Sequence, residues 1–222
     1  MFWILMLAHL IADYPLQSDK LVAAKMRLPG LTLHVAIHWI VMTILTWPVR
    51  VLVWPYILAI TFMHFSIDYF KVVLNRRRPE WVIGPYLWDQ PLHWLSLIIA
   101  CTLMGNQTNL PIWNVTSPWW IYGIGLLIAT HIWYITERVL TYRDKEIQPQ
   151  IRETMWPRMF TRLLFYSGFA AATPWSLLFV IILFGAAFFL YDRFQYPRRW
   201  LVTDILVGFG SALIVLIILA LF

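Results

Sequence analysis

The chain has 222 residues, of which 61% are hydrophobic and 13% charged, with a mean hydropathy of +0.69. A soluble domain carries roughly 25% charged residues, so this composition excludes an ordinary water-soluble enzyme and calls for an all-α, polytopic bundle of transmembrane helices. The lone Cys101 excludes an internal disulfide framework or thiolate metal cluster, and a net charge of +6 is what basic membrane loops supply without any nucleic-acid partner.

Residues 1–8 have neither the basic leader nor the small-residue cleavage site of a signal peptide, so they belong to the first helix. Apolar runs predict helices over residues 2–16, 31–47, 55–74, 88–103, 119–140 and 201–222. Residues 160–191 are apolar but interrupted by Thr173-Pro174, giving one kinked helix or two short ones, and so about six to eight membrane segments. Proline and glycine mark the connections at Pro29-Gly30, Pro48, Gly84-Pro85, Pro111 and Pro118. Trp47, Trp54, Trp88, Trp119, Trp120, Trp175 and Trp200 fall near segment ends, as an aromatic belt requires. The expectation is a single integral membrane domain, with a four-helix half over residues 1–104 and additional helices over 105–222.

Charge alternates between the connections. Lys20, Lys25 and Arg27 follow the first helix, Lys71 and Arg76 to Arg78 end the third, and Arg138, Arg143, Lys145 and Arg152 follow the fifth. The second connection has only Arg50, and residues 105–118 carry no charge. The excess of Lys and Arg on the cytoplasmic side places the amino terminus outside. For Arg193, Arg198 and Arg199 also to lie inside, residues 160–191 must enter and return as a hairpin.

Four of the predicted helices carry polar pairs spaced i, i+4: His9 with Asp13, His34 with His38, His64 with Asp68, and Asp89 with His93. That spacing stacks both side chains on one helix face. An ionisable group within the bilayer costs several kcal/mol, so such groups face the bundle interior and usually have a function. Read against the helix directions, all four pairs fall in the cytoplasmic half of the membrane. Imidazole and carboxylate together suit Zn, Mn or Fe, and inward-facing pairs of this kind can hold one or two such ions. The expected metal ligands are therefore His9, Asp13, His34, His38, His64, Asp68, Asp89 and His93. Lys71 lies on the face of Asp68 and suits an anionic substrate, and Gln17 and Gln90 can support the carboxylates or form ordinary interhelical amide bonds. His131 lacks an i+4 partner, and Glu137 beside Arg138 reads as an interfacial ion pair.

The segment His9-Leu-Ile-Ala-Asp13-Tyr-Pro-Leu-Gln17, then Lys25, His34, His64-x-x-x-Asp68-x-x-Lys71 and Leu87-Trp-Asp89-Gln90-x-x-His93 resembles a bacterial membrane family, the domain of unknown function numbered 3307. The resemblance covers about residues 5–95, and Thr136-Glu137-Arg138 echoes a later Glu-Arg element of that family. It implies a bacterial inner-membrane protein, and the pattern is also similar to that of predicted membrane-bound metal-dependent hydrolases.

These readings converge on a metal-dependent hydrolase of a lipid or lipid-linked ester, foremost a phosphoester. Asp13, Asp68 or Asp89 would bridge ions or take a proton, and Lys71 would neutralise the substrate. Alternatives are a divalent-metal transporter, a di-iron lipid oxidase, and a non-catalytic metal-stapled bundle or subunit of a larger complex.

Overall fold

The computed structural model describes residues 1–113, 117–171 and 176–222, and every regular element among them is helical. The predicted interruption at Thr173-Pro174, and Trp175 with it, lie outside the described residues. The chain divides into two compact units, Met1–Trp120 and Ile121–Phe222.

In the first unit, α1 (Phe2–Asp13), α3 (Leu28–Leu45), α4 (Arg50–Arg77) and α5 (Ile83–Thr108) form a closed four-helix arrangement. Helix α1 packs on α3 and α5, α3 on α4, and α4 on α5. A short helix, α2 (Asp19–Ala24), capped by the Ser18 hydroxyl, lies against α3. It passes so close that a Cβ on Gly30 would stand 2.1 Å from the Ala24 carbonyl oxygen, which explains glycine there. At this end of the unit the Arg76 guanidinium donates to the Met26 carbonyl. At the other end the Met1 ammonium donates to the carbonyls of Pro111 and Ile112 at 2.9 and 2.8 Å.

The second unit begins within α6 (Pro118–Leu127), which runs through a π-helical turn, Ile128–Ile132, into α7 (Trp133–Leu140). Helix α8 (Ile147–Glu153) is short, and α9 (Met155–Ala170) packs on α11 (Arg198–Leu221). Helix α10 (Ser176–Arg193) packs on both. Of the apolar stretch 160–191, the described residues belong to α9 and α10.

Leu28–Leu45, Trp47–Arg77 and Arg198–Leu221 are the described helices long and apolar enough to cross a membrane. The expected six to eight segments are not reached by this measure: α1 has 12 residues, and α5, with 26, carries Asp89, Gln90 and His93 within its apolar stretch. Trp47, Trp54, Trp88 and Trp119 are exposed, as a belt requires, whereas Trp200 is buried and leaves the belt.

Candidate metal centre

Each of the four polar pairs sits on one turn of its own helix, and the closed arrangement of α1, α3, α4 and α5 turns all four toward a common interior. His9, Asp13, His34, His38, His64, Asp68, Asp89 and His93 are all at most 6% exposed. In α1 the pair lies near the carboxyl end, in α3 about the middle with His34 in the first half, in α4 past the middle and in α5 in the first half. All therefore lie toward the end of the unit that carries α2 and Arg76. The rise of ~1.5 Å per residue puts Asp68 about 14 Å along the axis from the end of α4.

Asp13 is the hub. Its Oδ1 lies 3.1 Å from Nε2 of both His34 and His38, and 4.0 Å from Nε2 of His64. Its Oδ2 lies 3.4 Å from His9 Nε2 and accepts from Gln90 Nε2 at 3.2 Å. Gln17 donates instead to the Asp13 backbone carbonyl at 2.9 Å and accepts from Lys25 at 2.7 Å, so both glutamines support the cluster. Asp68 places Oδ2 at 3.4 Å from His34 Nε2 and 3.6 Å from His64 Nε2, and Oδ1 at 3.5 Å from His93 Nε2. Asp89 Oδ1 is 3.2 Å from His93 Nε2.

Two further contacts crowd histidines together. The Nε2 atoms of His34 and His64 are 3.1 Å apart, and the rings of His38 and His64 have centroids 3.7 Å apart. Bonds of ~2.0–2.1 Å around a tetrahedral ion put ligand atoms about 3.3 Å apart, close to the spacing seen here. His9 Nε2, His93 Nε2, Asp68 Oδ2 and Asp89 Oδ1 are buried without a hydrogen-bond partner. Buried polar atoms are otherwise almost always paired. Converging, unpaired lone pairs of imidazole and carboxylate are a donor set that can hold a divalent ion. Two subsets are compact enough to do so: Asp13, His34, His38 and His64, and again His64, Asp68 and His93. His9 and Asp89 join the cluster but fall outside both subsets.

Two lysines reach the carboxylates from the rim. Lys25 Nζ stands 2.6 Å from Asp68 Oδ2, a charge contact rather than an aligned hydrogen bond, and Lys71 donates to Asp89 Oδ2. Their side chains are 12% and 26% exposed, against 2% and 5% for the carboxylates. Lys71 faces the site as its spacing from Asp68 predicted. Lys25 belongs to the basic stretch after the first helix and to the resemblance's signature, but its contact with Asp68 depends on the short helix α2, which no apolar period announces.

A second buried cluster was missed by sequence reasoning. Arg158 donates through Nε and Nη2 to Asp204 at 2.9 and 3.0 Å, and through Nη2 to Glu137 at 3.0 Å. Tyr191 Oη donates to Asp204 at 2.5 Å, Arg162 Nε donates to the Arg158 carbonyl at 3.2 Å, and the Trp200 ring lies 4.5 Å from the Arg158 guanidinium. Glu137, expected to pair with its neighbour Arg138, is thus joined to Arg158. The available signal was Arg158 and Arg162 at i, i+4 and an acid, Asp204, inside an apolar helix. His131 sits in the π-helical turn of this second unit, 3.1 Å from the Thr130 hydroxyl.

The first unit is thereby a four-helix arrangement around a buried His/Asp cluster that could hold a metal ion. A family model described as a protein of unknown function (DUF3307) matches residues 1–121, over half of the chain and all eight expected ligands, and the chain belongs to that family. No curated protein and no solved structure matches it.

Proposed function

We propose that this is an integral membrane protein of six to eight segments, in a bacterial inner membrane. In this reading its first unit is a metal-dependent hydrolase of a lipid or lipid-linked phosphoester, with the site toward the cytoplasm. The observation that carries the proposal is the pairing of a buried ligand cluster with a cationic rim: Lys25 and Lys71 hold Asp68 and Asp89 at the more exposed edge of the site. An anion approaching that rim finds two ammonium groups before it reaches the ligands. A cation crossing the protein would have to pass the same two charges, which speaks against metal transport.

Asp13, His34, His38, His64, Asp68 and His93 would hold the ion or ions, with zinc the first choice and manganese or iron suited to the same donors. A divalent ion bound there supplies Lewis acidity toward a phosphoryl oxygen and acidifies water. Gln90 fixes the Asp13 carboxylate through Oδ2, so its Oδ1 stays turned to His34 and His38. Asp89, next to His93 and outside the two compact ligand sets, would accept a proton from water. Lys71, released from Asp89, neutralises charge on the departing phosphate.

The test is release of phosphate or head group by purified protein in detergent, across a panel of anionic phospholipids and polyprenyl phosphates, with and without added metal. Metal-dependent release is expected. Lys71→Met should lower it about 100-fold while leaving metal content unchanged. No release anywhere in the panel, together with metal uptake into proteoliposomes, would replace the hydrolase by a transporter. If neither activity appears and metal removal only unfolds the protein, the ion is a staple.

A further inference from the structure

The ligand atoms are not arranged evenly, and the unevenness speaks to how many ions the cluster takes. Asp13, His34, His38 and His64 form the tighter set, with three contacts of 3.1 Å among them. Among the described residues Asp13 pairs with histidines and Gln90 and with no lysine or arginine. This set offers four ligands and no built-in competitor. Structural ion positions are closed by four protein ligands in this way.

The other set, His64, Asp68 and His93, is wider, with contacts of 3.5 and 3.6 Å, and supplies three ligands. Fewer than four protein ligands leave a position open to water or substrate, the mark of a reactive site. Asp89 Oδ1 lies beside it, 3.2 Å from His93 Nε2 and without a hydrogen-bond partner. Both ammonium groups of the rim fall on this set and its neighbour: Lys25 on Asp68 and Lys71 on Asp89.

His64 belongs to both sets but offers one Nε2, so two ions held at once leave it to one of them. Asp68 has no such limit. Its Oδ2 faces His34 and His64, and its Oδ1 faces His93, so one carboxylate reaches both positions.

We infer that the cluster holds two unequal ions: a closed position at Asp13, His34, His38 and His64, and an open one at Asp68 and His93 beside Asp89. Asp68 bridges them, and Lys25 competes with the second ion for that carboxylate. The inference rests on the metal-centre reading above and sets the order of filling. The closed position fills first and tightly. The open one fills second, when Lys25 leaves Asp68, and it is the position that meets substrate at the rim.

The test uses the full chain in detergent, titrated with Mn2+, with bound metal counted by equilibrium dialysis and the spin state followed by electron paramagnetic resonance. Two equivalents are expected, the second weaker and broadening the signal of the first through the shared carboxylate. His93→Ala should keep one equivalent with an uncoupled signal, and His38→Ala should lose the tight equivalent. Lys25→Met, which leaves every ligand in place, should tighten the second equivalent by about tenfold, the weight of one charge-assisted contact, and leave the first unchanged. A single equivalent in the unmodified protein, abolished by either histidine variant, overturns the two-ion inference and leaves the metal centre standing. Two equivalents both indifferent to Lys25→Met overturn the competition. No bound metal in folded protein removes the underlying reading itself.

Discussion

Both units bury ionisable side chains among apolar helices, and they do so in opposite ways. In the second unit every strong donor of Arg158 meets an acceptor: Asp204 takes two of its hydrogen bonds, Glu137 a third, and Tyr191 fills a further lone pair of Asp204. Around Arg158 opposite charges and complementary donors and acceptors meet, although Arg162 Nη1 and Glu137 Oε2 have no hydrogen-bond partner, and the set is suited to joining α7, α9, α10 and α11. In the first unit imidazole and carboxylate atoms crowd one another at distances that ligands around a common ion would have, and His9 Nε2, His93 Nε2, Asp68 Oδ2 and Asp89 Oδ1 have no hydrogen-bond partner. The lesson is that buried charge alone does not mark a metal site. What separates the two is that one pairs a cation with anions, whereas the other gathers imidazole and carboxylate ligand atoms within reach of a common point.

The comparison can be broken most forcefully at Asp204. Asp204→Ala leaves the fully buried Arg158 without its main counter-charge, a loss of about 3–5 kcal/mol, while the metal content of the first unit stays unchanged. Unfolding in detergent, followed together with bound metal, checks both halves of that statement. Equal stability in the variant would mean that Arg158 is compensated by something other than Asp204. A smaller effect sharpens the contrast: Tyr191→Phe removes one hydrogen bond to a charged acceptor, and should cost about 1.5–3 kcal/mol in the same measurement with no change in metal.

The four ligand pairs were legible in the sequence because helical periodicity, membrane cost and depth acted on the same residues. His9 and Asp13, or His64 and Asp68, share a face wherever their helix goes, so the one thing left to learn was which way each helix turned. Lys25 was not legible in this way. It reaches Asp68 because α2 folds back against Gly30, a close backbone approach that composition does not encode. The second cluster escaped for a different reason. Arg158 and Arg162 lie at the start of an apolar stretch, where cationic residues ordinarily read as flanking charges, and Asp204 finds Arg158 only through the packing of α9 on α11. Trp200 was drawn into the aromatic belt by position alone, whereas its ring covers the Arg158 guanidinium. Helix boundaries were the least legible, since α4 and α5 extend by several polar residues beyond their apolar cores.

The central claim, that the His/Asp cluster of the first unit is a metal centre, is tested most directly by elemental analysis of the purified protein and of His64→Ala. His64 stands in both compact ligand sets, so no position escapes its loss. The account predicts at least one tightly held divalent transition metal per unmodified chain, and a large loss in His64→Ala with the Arg158 cluster and the fold intact. Folded protein that carries no metal, and takes up none when zinc, manganese or iron is supplied, would contradict it.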